Sequence, residues 1–211
     1  MSQIIQQLLT RQFEQATESF VNANLAGEWQ QLQQHLLPQL QQLALSSDYA
    51  WRMLRQFAPE FWQMYQQGLL AQPLARPYFH QQVSQWVSDK TNDMQWMQSI
   101  RHYRQHMMLR WIYRDVNNLA SLSELTDELS EFAEASIDAA IAYAEQALIA
   151  RHGLPIGEDS GQVQQMIVIG MGKLGAQELN LSSDIDLIFS YPEAGETNGR
   201  AKISNQEFFI K

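Results

Sequence analysis

Only residues 176–181 separate a glycine-rich turn from an acidic segment, and this short spacing limits the fold more than any other feature of the chain. Met166, Ile167, Val168 and Ile169 form an apolar, partly β-branched run that stops at Gly170, as a buried strand ending in a turn would. Gly170-Met171-Gly172-Lys173-Leu174-Gly175 comes next, and then Ser182-Ser183-Asp184-Ile185-Asp186-Leu187-Ile188-Phe189. Strand side chains alternate, which predicts Asp184 and Asp186 on one face of a second strand and Ile185, Leu187 and Phe189 on the other. Two strands joined in parallel need a crossover of about a dozen residues or more. The intervening segment is under two helical turns, so the predicted layout is strand, glycine turn, short helix, acidic strand.

That spacing decides between owners of the glycine motif. The turn matches the dinucleotide fingerprint letter for letter, yet it lacks the crossover helix, and its acids form a one-apart pair inside a strand rather than a lone residue at a strand end. Lys173 is not followed by a hydroxyl residue, and the glycine spacing is not that of a P-loop. A pair of carboxylates about 6.6 Å apart along a strand suits hard divalent ions that clamp a phosphoryl group. For an isolated Asp-x-Asp, a solvated strand face or an N-cap pair is the ordinary explanation; the adjoining glycine turn favours metal binding. Backbone N–H groups of the turn, the start of the short helix and Lys173 can receive phosphate oxygens.

The residues before the motif predict helices. Apolar positions recur at helical spacing through the Gln-rich N-terminal region, as at Ile4, Ile5, Leu8, Leu9 and Phe13 and again at Trp29, Leu32, Leu36 and Leu40, with Pro38 starting or kinking a helix. Ser46-Ser47-Asp48 supplies N-cap residues, and Pro59, Gly68, Pro73 and Pro77 punctuate the next thirty or so positions. Six tryptophans read as packing anchors. Thr91-Asn92-Asp93 opens a long helix with Met94, Met97, Ile100, Tyr103 and Met107 at three- and four-residue steps. Its other faces carry Arg101, Arg104, Arg110 and Arg114, either a solvated or salt-bridged surface or one that meets phosphate or an acidic partner. His102 and His106 have the spacing of a helical metal pair but no third ligand in the pattern. Ser121-Leu122-Ser123-Glu124 is a capping box for a helix running to about His152, ended by Gly153 and Pro155. These elements predict an α+β, mostly α chain: a helical domain over residues 1–153, a polar linker over 154–165, and the first strands of a second domain over 166–211. Ser204 or Asn205 caps a helix barely begun at Lys211, which is expected of a piece of something longer.

A net charge of −9 argues against gripping nucleic acid, which needs clustered cations. The absence of cysteine excludes disulfides and thiolate sites. Neither an export signal nor a membrane span is suggested by the sequence, and a cytoplasmic location is expected.

The layout around residues 166–190 resembles the DNA polymerase beta-like nucleotidyltransferases. Residues 170–180, joined to residues 182–189, resemble one family in particular, the glutamine synthetase adenylyltransferase/adenylyl-removing enzymes, in which Met171 replaces the serine usual in the superfamily. Residues 101–115, residues 129–140 and Tyr191-Pro192-Glu193 are similar to that family as well, and Ala176 stands where it usually has another glycine. The resemblance is strong from about residue 92 and only general before it. It implies a bacterial regulator of nitrogen metabolism, multifunctional at full length: one half removes AMP from a tyrosine of glutamine synthetase by phosphorolysis, giving ADP, and the other attaches AMP from ATP. Magnesium serves both, and the signalling protein PII, with glutamine, sets the balance. A helical region beginning at Met1 ahead of the motif points to the N-terminal, adenylyl-removing half.

Carried onto this chain, the resemblance makes Asp184 and Asp186 the catalytic metal ligands and Gly170, Gly172, Lys173, Gly175 and Ser183 the nucleotide and phosphate contacts. The family's third carboxylate lies on a later strand, so this chain alone is expected to be weakly active or inactive. Two other readings stay open: a helical docking module for PII or glutamine synthetase with a vestigial core, and a nucleotidyltransferase acting on a small molecule.

Overall fold

The computed structural model describes residues 3–87 and 92–211, so Thr91, expected to help open the long helix, lies outside the described residues. The chain is mostly α-helical with two short antiparallel sheets, and it divides into two compact units. The first comprises residues 1–78 and 85–125, the second residues 79–84 and 126–211.

The first unit is built on α1 (Gln3–Asn22), α2 (Ala26–Ser46), α3 (Asp48–Gln56), α4 (Ala58–Gln66) and α6 (Asp93–Val116); α5 (Pro77–Val87) contributes its first two and last three residues. Pro38 lies inside α2, and the backbone two residues earlier, at Leu36, leaves the helical region (φ −124°, ψ 17°), the kink expected from a missing N–H and a ring clash. Ser47 caps α3 by accepting from the Ala50 N–H at 3.1 Å, and Asn92 caps α6 by accepting from Gln95 at 3.0 Å. The core is aromatic: Trp29 stacks on Phe20 at 4.7 Å and meets Trp51 edge-on at 6.5 Å. Both indole N–H groups are satisfied, Trp29 by Thr17 Oγ1 and Trp51 by the Gln12 carbonyl.

Two apolar stripes differ from expectation. On α1 the buried positions are Leu9, Gln12, Ala16 and Phe20, while Ile4, Ile5 and Leu8 are exposed. On α6 burial concentrates in the last three turns, and Met94 and Met97 are exposed. There Arg110 and Arg114 are fully buried, neither a solvated surface nor free to meet a ligand. Arg110 donates to the carbonyls of Leu69 and Gln72 at 2.8 and 2.6 Å. Arg114 donates to Leu70 and Leu119 carbonyls and pairs with Glu124 at 2.5 Å. The guanidinium forks thus satisfy the irregular backbone after α4, where Gly68 (φ +73°) ends the helix and no ladder exists to pair it. No third ligating side chain joins His102 and His106: among the described residues no group of three or more His, Cys, Asp or Glu is placed to hold an ion. His106 is instead packed among Trp86, Tyr103 and Phe57, and burial, with a smaller contribution from His102, pulls its pKa from 6.5 down to about 4.

The second unit holds α7 (Leu122–His152) from Thr126 onward, both sheets, α8 (Gly172–Gly175) and α9 (Asn205–Ile210). Residues 154–165, expected as a linker, carry β1 (Pro155–Gly157), which pairs antiparallel with β4 (Gly195–Thr197) inside the segment expected as loop. Such pairing across some forty residues leaves no periodic trace in three-residue strands. The composition-based boundary therefore falls inside this unit. β2 (Ile167–Gly170) pairs antiparallel with β3 (Leu187–Ser190), Gly170 opposite Leu187. Ser204 caps α9 through the Glu207 N–H at 3.1 Å.

All six tryptophans lie in the first unit, so their fluorescence reports its unfolding. Arg114→Met strands buried carbonyls and Glu124, and should lower that unit's stability by about 3 kcal/mol in urea titrations, whereas exposed Arg101→Met should change it by under about 0.5 kcal/mol. His106 is neutral in the fold and gains a proton more readily when unfolded, so stability is full above about pH 6.5 and falls as pH drops toward 4, by about 3 kcal/mol in total. The neighbouring titratable pair, His102 and Glu60 at 3.6 Å, remains in place in His106→Leu, which should lose this part of the slope; an unchanged slope would refute the assignment.

Candidate functional site

The glycine turn is shaped by three different demands. Gly170 ends β2 under the Leu174 side chain, where an added Cβ would stand 2.9 Å from Leu174 Cγ. Gly172 opens α8 at φ +53°, a conformation that costs other residues energy, and no atom lies within 4 Å of its missing Cβ. Gly175 closes the single turn of α8 against the strand end, and a Cβ there would meet the Gly170 carbonyl oxygen at 2.5 Å. The turn therefore needs glycine for close approach at 175 and for backbone conformation, with open space above it, at 172.

The acidic pair does not lie within a strand. β3 begins at Leu187, and residues 183–186 run in irregular backbone before it. The ladder nonetheless extends by one bond, because the Met171 N–H donates to the Asp186 carbonyl at 2.9 Å. Asp186 is thereby fixed beside the glycine turn, with Asp184 two residues upstream, and both are exposed. Lys173 is exposed in the same turn. Ser183, expected to contact phosphate, is engaged with Asn180: its hydroxyl accepts from the Asn180 N–H at 3.1 Å and donates to Asn180 Oδ1 at 3.0 Å. Asn180 Oδ1 also accepts from the Ser182 N–H at 3.1 Å. This closed turn aims the chain from α8 back toward the acidic pair, and Asn180 is a site residue that sequence reasoning does not single out.

A concave space of about 310 Å³ lies on the other side of the turn, bounded by His80, Glu134 and Asp138 and by Val168, Gly170 and Gln177. Asp184, Asp186 and Lys173 do not line it. The structure thus divides the expected residues: Gly170 and Gly175 border the cavity beneath the turn, while Gly172, Lys173 and the two carboxylates face solvent.

As a ligand set, two exposed carboxylates beside an open glycine turn offer hard oxygen donors with room for water and phosphate, which fits magnesium. Among the described residues no third His, Cys, Asp or Glu joins them.

The model of the family described as "Glutamate-ammonia ligase adenylyltransferase" matches residues 37–211. Proteins named "Bifunctional glutamine synthetase adenylyltransferase/adenylyl-removing enzyme" are similar over much of the chain. That of Acinetobacter baylyi is 51% identical over 172 residues, 82% of this chain and 18% of its own length. That of Pseudomonas aeruginosa is 38% identical over 83% of this chain and 18% of its length, and that of Pseudomonas putida is 34% identical over 98% and 21%. The chain therefore spans about a fifth of the length of these relatives.

The two glycine demands predict different costs for one added methyl group. Gly175→Ala should destabilise the second unit by about 2–3 kcal/mol through overpacking against backbone, and Gly172→Ala by about 1 kcal/mol through its φ alone. Chemical denaturation followed by circular dichroism measures both; equal losses would show that the close approach at 175 is not decisive.

Proposed function

This chain belongs to the glutamate-ammonia ligase adenylyltransferase family, and from that premise we propose that it is part of a protein nucleotidyltransferase that controls glutamine synthetase by phosphorolytic removal of AMP from its adenylylated tyrosine. Removal rather than addition is proposed because the motif directly follows a helical region, the order that the resemblance associates with the adenylyl-removing half. The observation that carries the reading is the Met171–Asp186 backbone bond, which ties the acidic pair to the glycine turn.

In the proposed reaction an oxygen of inorganic phosphate attacks the phosphorus of the tyrosyl-AMP ester. The bond between phosphorus and the tyrosine oxygen breaks, the oxygen recovers a proton, and ADP leaves. Asp184 and Asp186 would hold magnesium, which when bound neutralises charge on the phosphoryl oxygens. The chain's own contribution is positional. The open backbone at Gly172 admits phosphate oxygens close to the main chain, Lys173 adds a cation, and the Asn180–Ser183 turn fixes the approach of the carboxylates. PII is the proposed regulatory partner and the cytoplasm the proposed location; no helix among the described residues is long and apolar enough to cross a membrane.

A chain extended past residue 211, given adenylylated glutamine synthetase, phosphate and magnesium, should release ADP. Asp184→Asn or Asp186→Asn should each lower the rate by about a hundredfold or more, several kcal/mol of lost charge stabilisation. An unchanged rate would remove the metal assignment. Binding of PII or glutamine synthetase without any magnesium-dependent ADP binding would instead favour the docking module.

A further inference from the structure

α8 ends in an unusual way. The Gln177 N–H donates to the Leu174 carbonyl at 3.0 Å and the Glu178 N–H to the Lys173 carbonyl at 2.8 Å, the paired bonds of a Schellman motif. Its left-handed position, normally glycine, is Gln177 at φ +59°. Glutamine bears a conformational cost that glycine would not, so its side chain must return something. Gln177 Nε2 donates to Glu134 Oε1 at 2.5 Å, a charge-assisted bond that crosses from the end of the glycine turn to the middle of α7.

Glu134 is one rung of a polar stripe. Ser130, Glu134 and Asp138 recur at four-residue steps on α7, and Glu145 lies within the same arc of about 80°. Each rung reaches a different part of the same unit. Buried Ser130 accepts from the Leu179 N–H at 3.4 Å, Asp138 meets His80 Nε2 at 3.1 Å, and Glu145, its carboxyl raised by burial, accepts from the Met166 N–H ahead of β2. Glu134 and Ser130 therefore hold the exit of the turn, while Glu145 holds the entry to the strand before it. Glu134 itself is half-buried and lines the cavity beneath the turn, which neither carboxylate of the acidic pair does.

We infer that Glu134 is a positioning residue for nucleotide phosphate binding: through Gln177 it fixes the C-terminal end of the Gly170–Gly175 turn, so that the exposed backbone at Gly172 is held ready for phosphate. This rests on the reading of that turn as the phosphate site. It also accounts for a long helix that carries hydrogen-bonding side chains on a face turned toward the β2–α8 segment.

The test compares Glu134→Ala, Glu134→Gln and the exchanged pair Glu134→Gln with Gln177→Glu, which reverses donor and acceptor and restores the bond. Two measurements are made on the full chain: hydrogen exchange of the amides at Gly175, Gln177 and Glu178, and the affinity for magnesium-ADP by calorimetry. Glu134→Ala should speed exchange at these amides about tenfold or more and weaken ADP binding about tenfold, as loss of one charge-assisted bond allows, with exchange in α1 to α4 unchanged. The exchanged pair should recover most of both. Unchanged exchange at the three amides overturns the tether. Faster exchange with undiminished ADP affinity overturns the positioning role and leaves a purely structural contact. If the unmodified chain binds no magnesium-ADP, the reading of the turn as a phosphate site falls and the positioning role with it, while the exchange data still report whether the tether exists.

Discussion

The contact between Gly175 and the carbonyl of Gly170 governs the second unit. Because nothing larger than hydrogen fits between them, α8 can fold back directly on the strand it follows, and the chain leaves the turn close to where it entered. From there residues 176–186 form no helix that could cover a sheet face, and the next strand returns antiparallel. The Met171–Asp186 bond and the register of Gly170 opposite Leu187 are consequences of that return. A site that places two carboxylates beside a glycine turn thus arises from one close backbone approach, not from a separate device for each residue.

The first unit solves a different problem, that of burying irregular backbone. The segment after α4 presents carbonyls at Leu69, Leu70 and Gln72 with no regular partner, and two arginines one helical turn apart on α6 reach into it. Buried charge of this kind is tolerated where it is paired and hydrogen-bonded, and Arg114 adds an ion pair with Glu124 to its two carbonyl partners. A motif that reads as a basic surface is therefore an internal clasp. The same helix keeps Arg101 and Arg104 in water, so the exposed and buried arginines of one element have unrelated roles.

Local chemistry is largely legible in the sequence. Caps at Ser47, Asn92 and Ser204, the kink at Pro38 and the glycine turn all rest on rules that act within a few residues. The features that escape it depend on distant partners. Three-residue β1 cannot signal itself when its mate, β4, lies forty residues on. The apolar stripe of α1 differs from expectation because Ile4 and Leu8 satisfy the periodicity as well as Ala16 and Phe20 do, and only the neighbouring aromatic cluster selects between them. The acidic pair is identifiable by residue type and by distance from the turn, while its backbone differs from the expected strand, following a hydrogen-bonded turn formed by residues 180–183.

Gln177 shows why such a site resists reading by propensity. Glycine at that position would relax the left-handed strain, worth about 1–2 kcal/mol, but would also raise the entropy of the unfolded chain and sever the link to α7. Glutamine accepts the strain and, with Ala176 beside it, leaves a stiffer turn than a run of glycines would. A charge-assisted bond contributes about 1.5–3 kcal/mol net, enough to offset the strain and still favour one conformation. The balance suits a phosphate-binding turn, because a loop that must present backbone N–H groups loses affinity by whatever it costs to order them when the ligand arrives. Local strain in a residue of modest propensity, compensated by a carboxylate forty-three positions earlier, is thus the physical form that preorganisation takes in this chain.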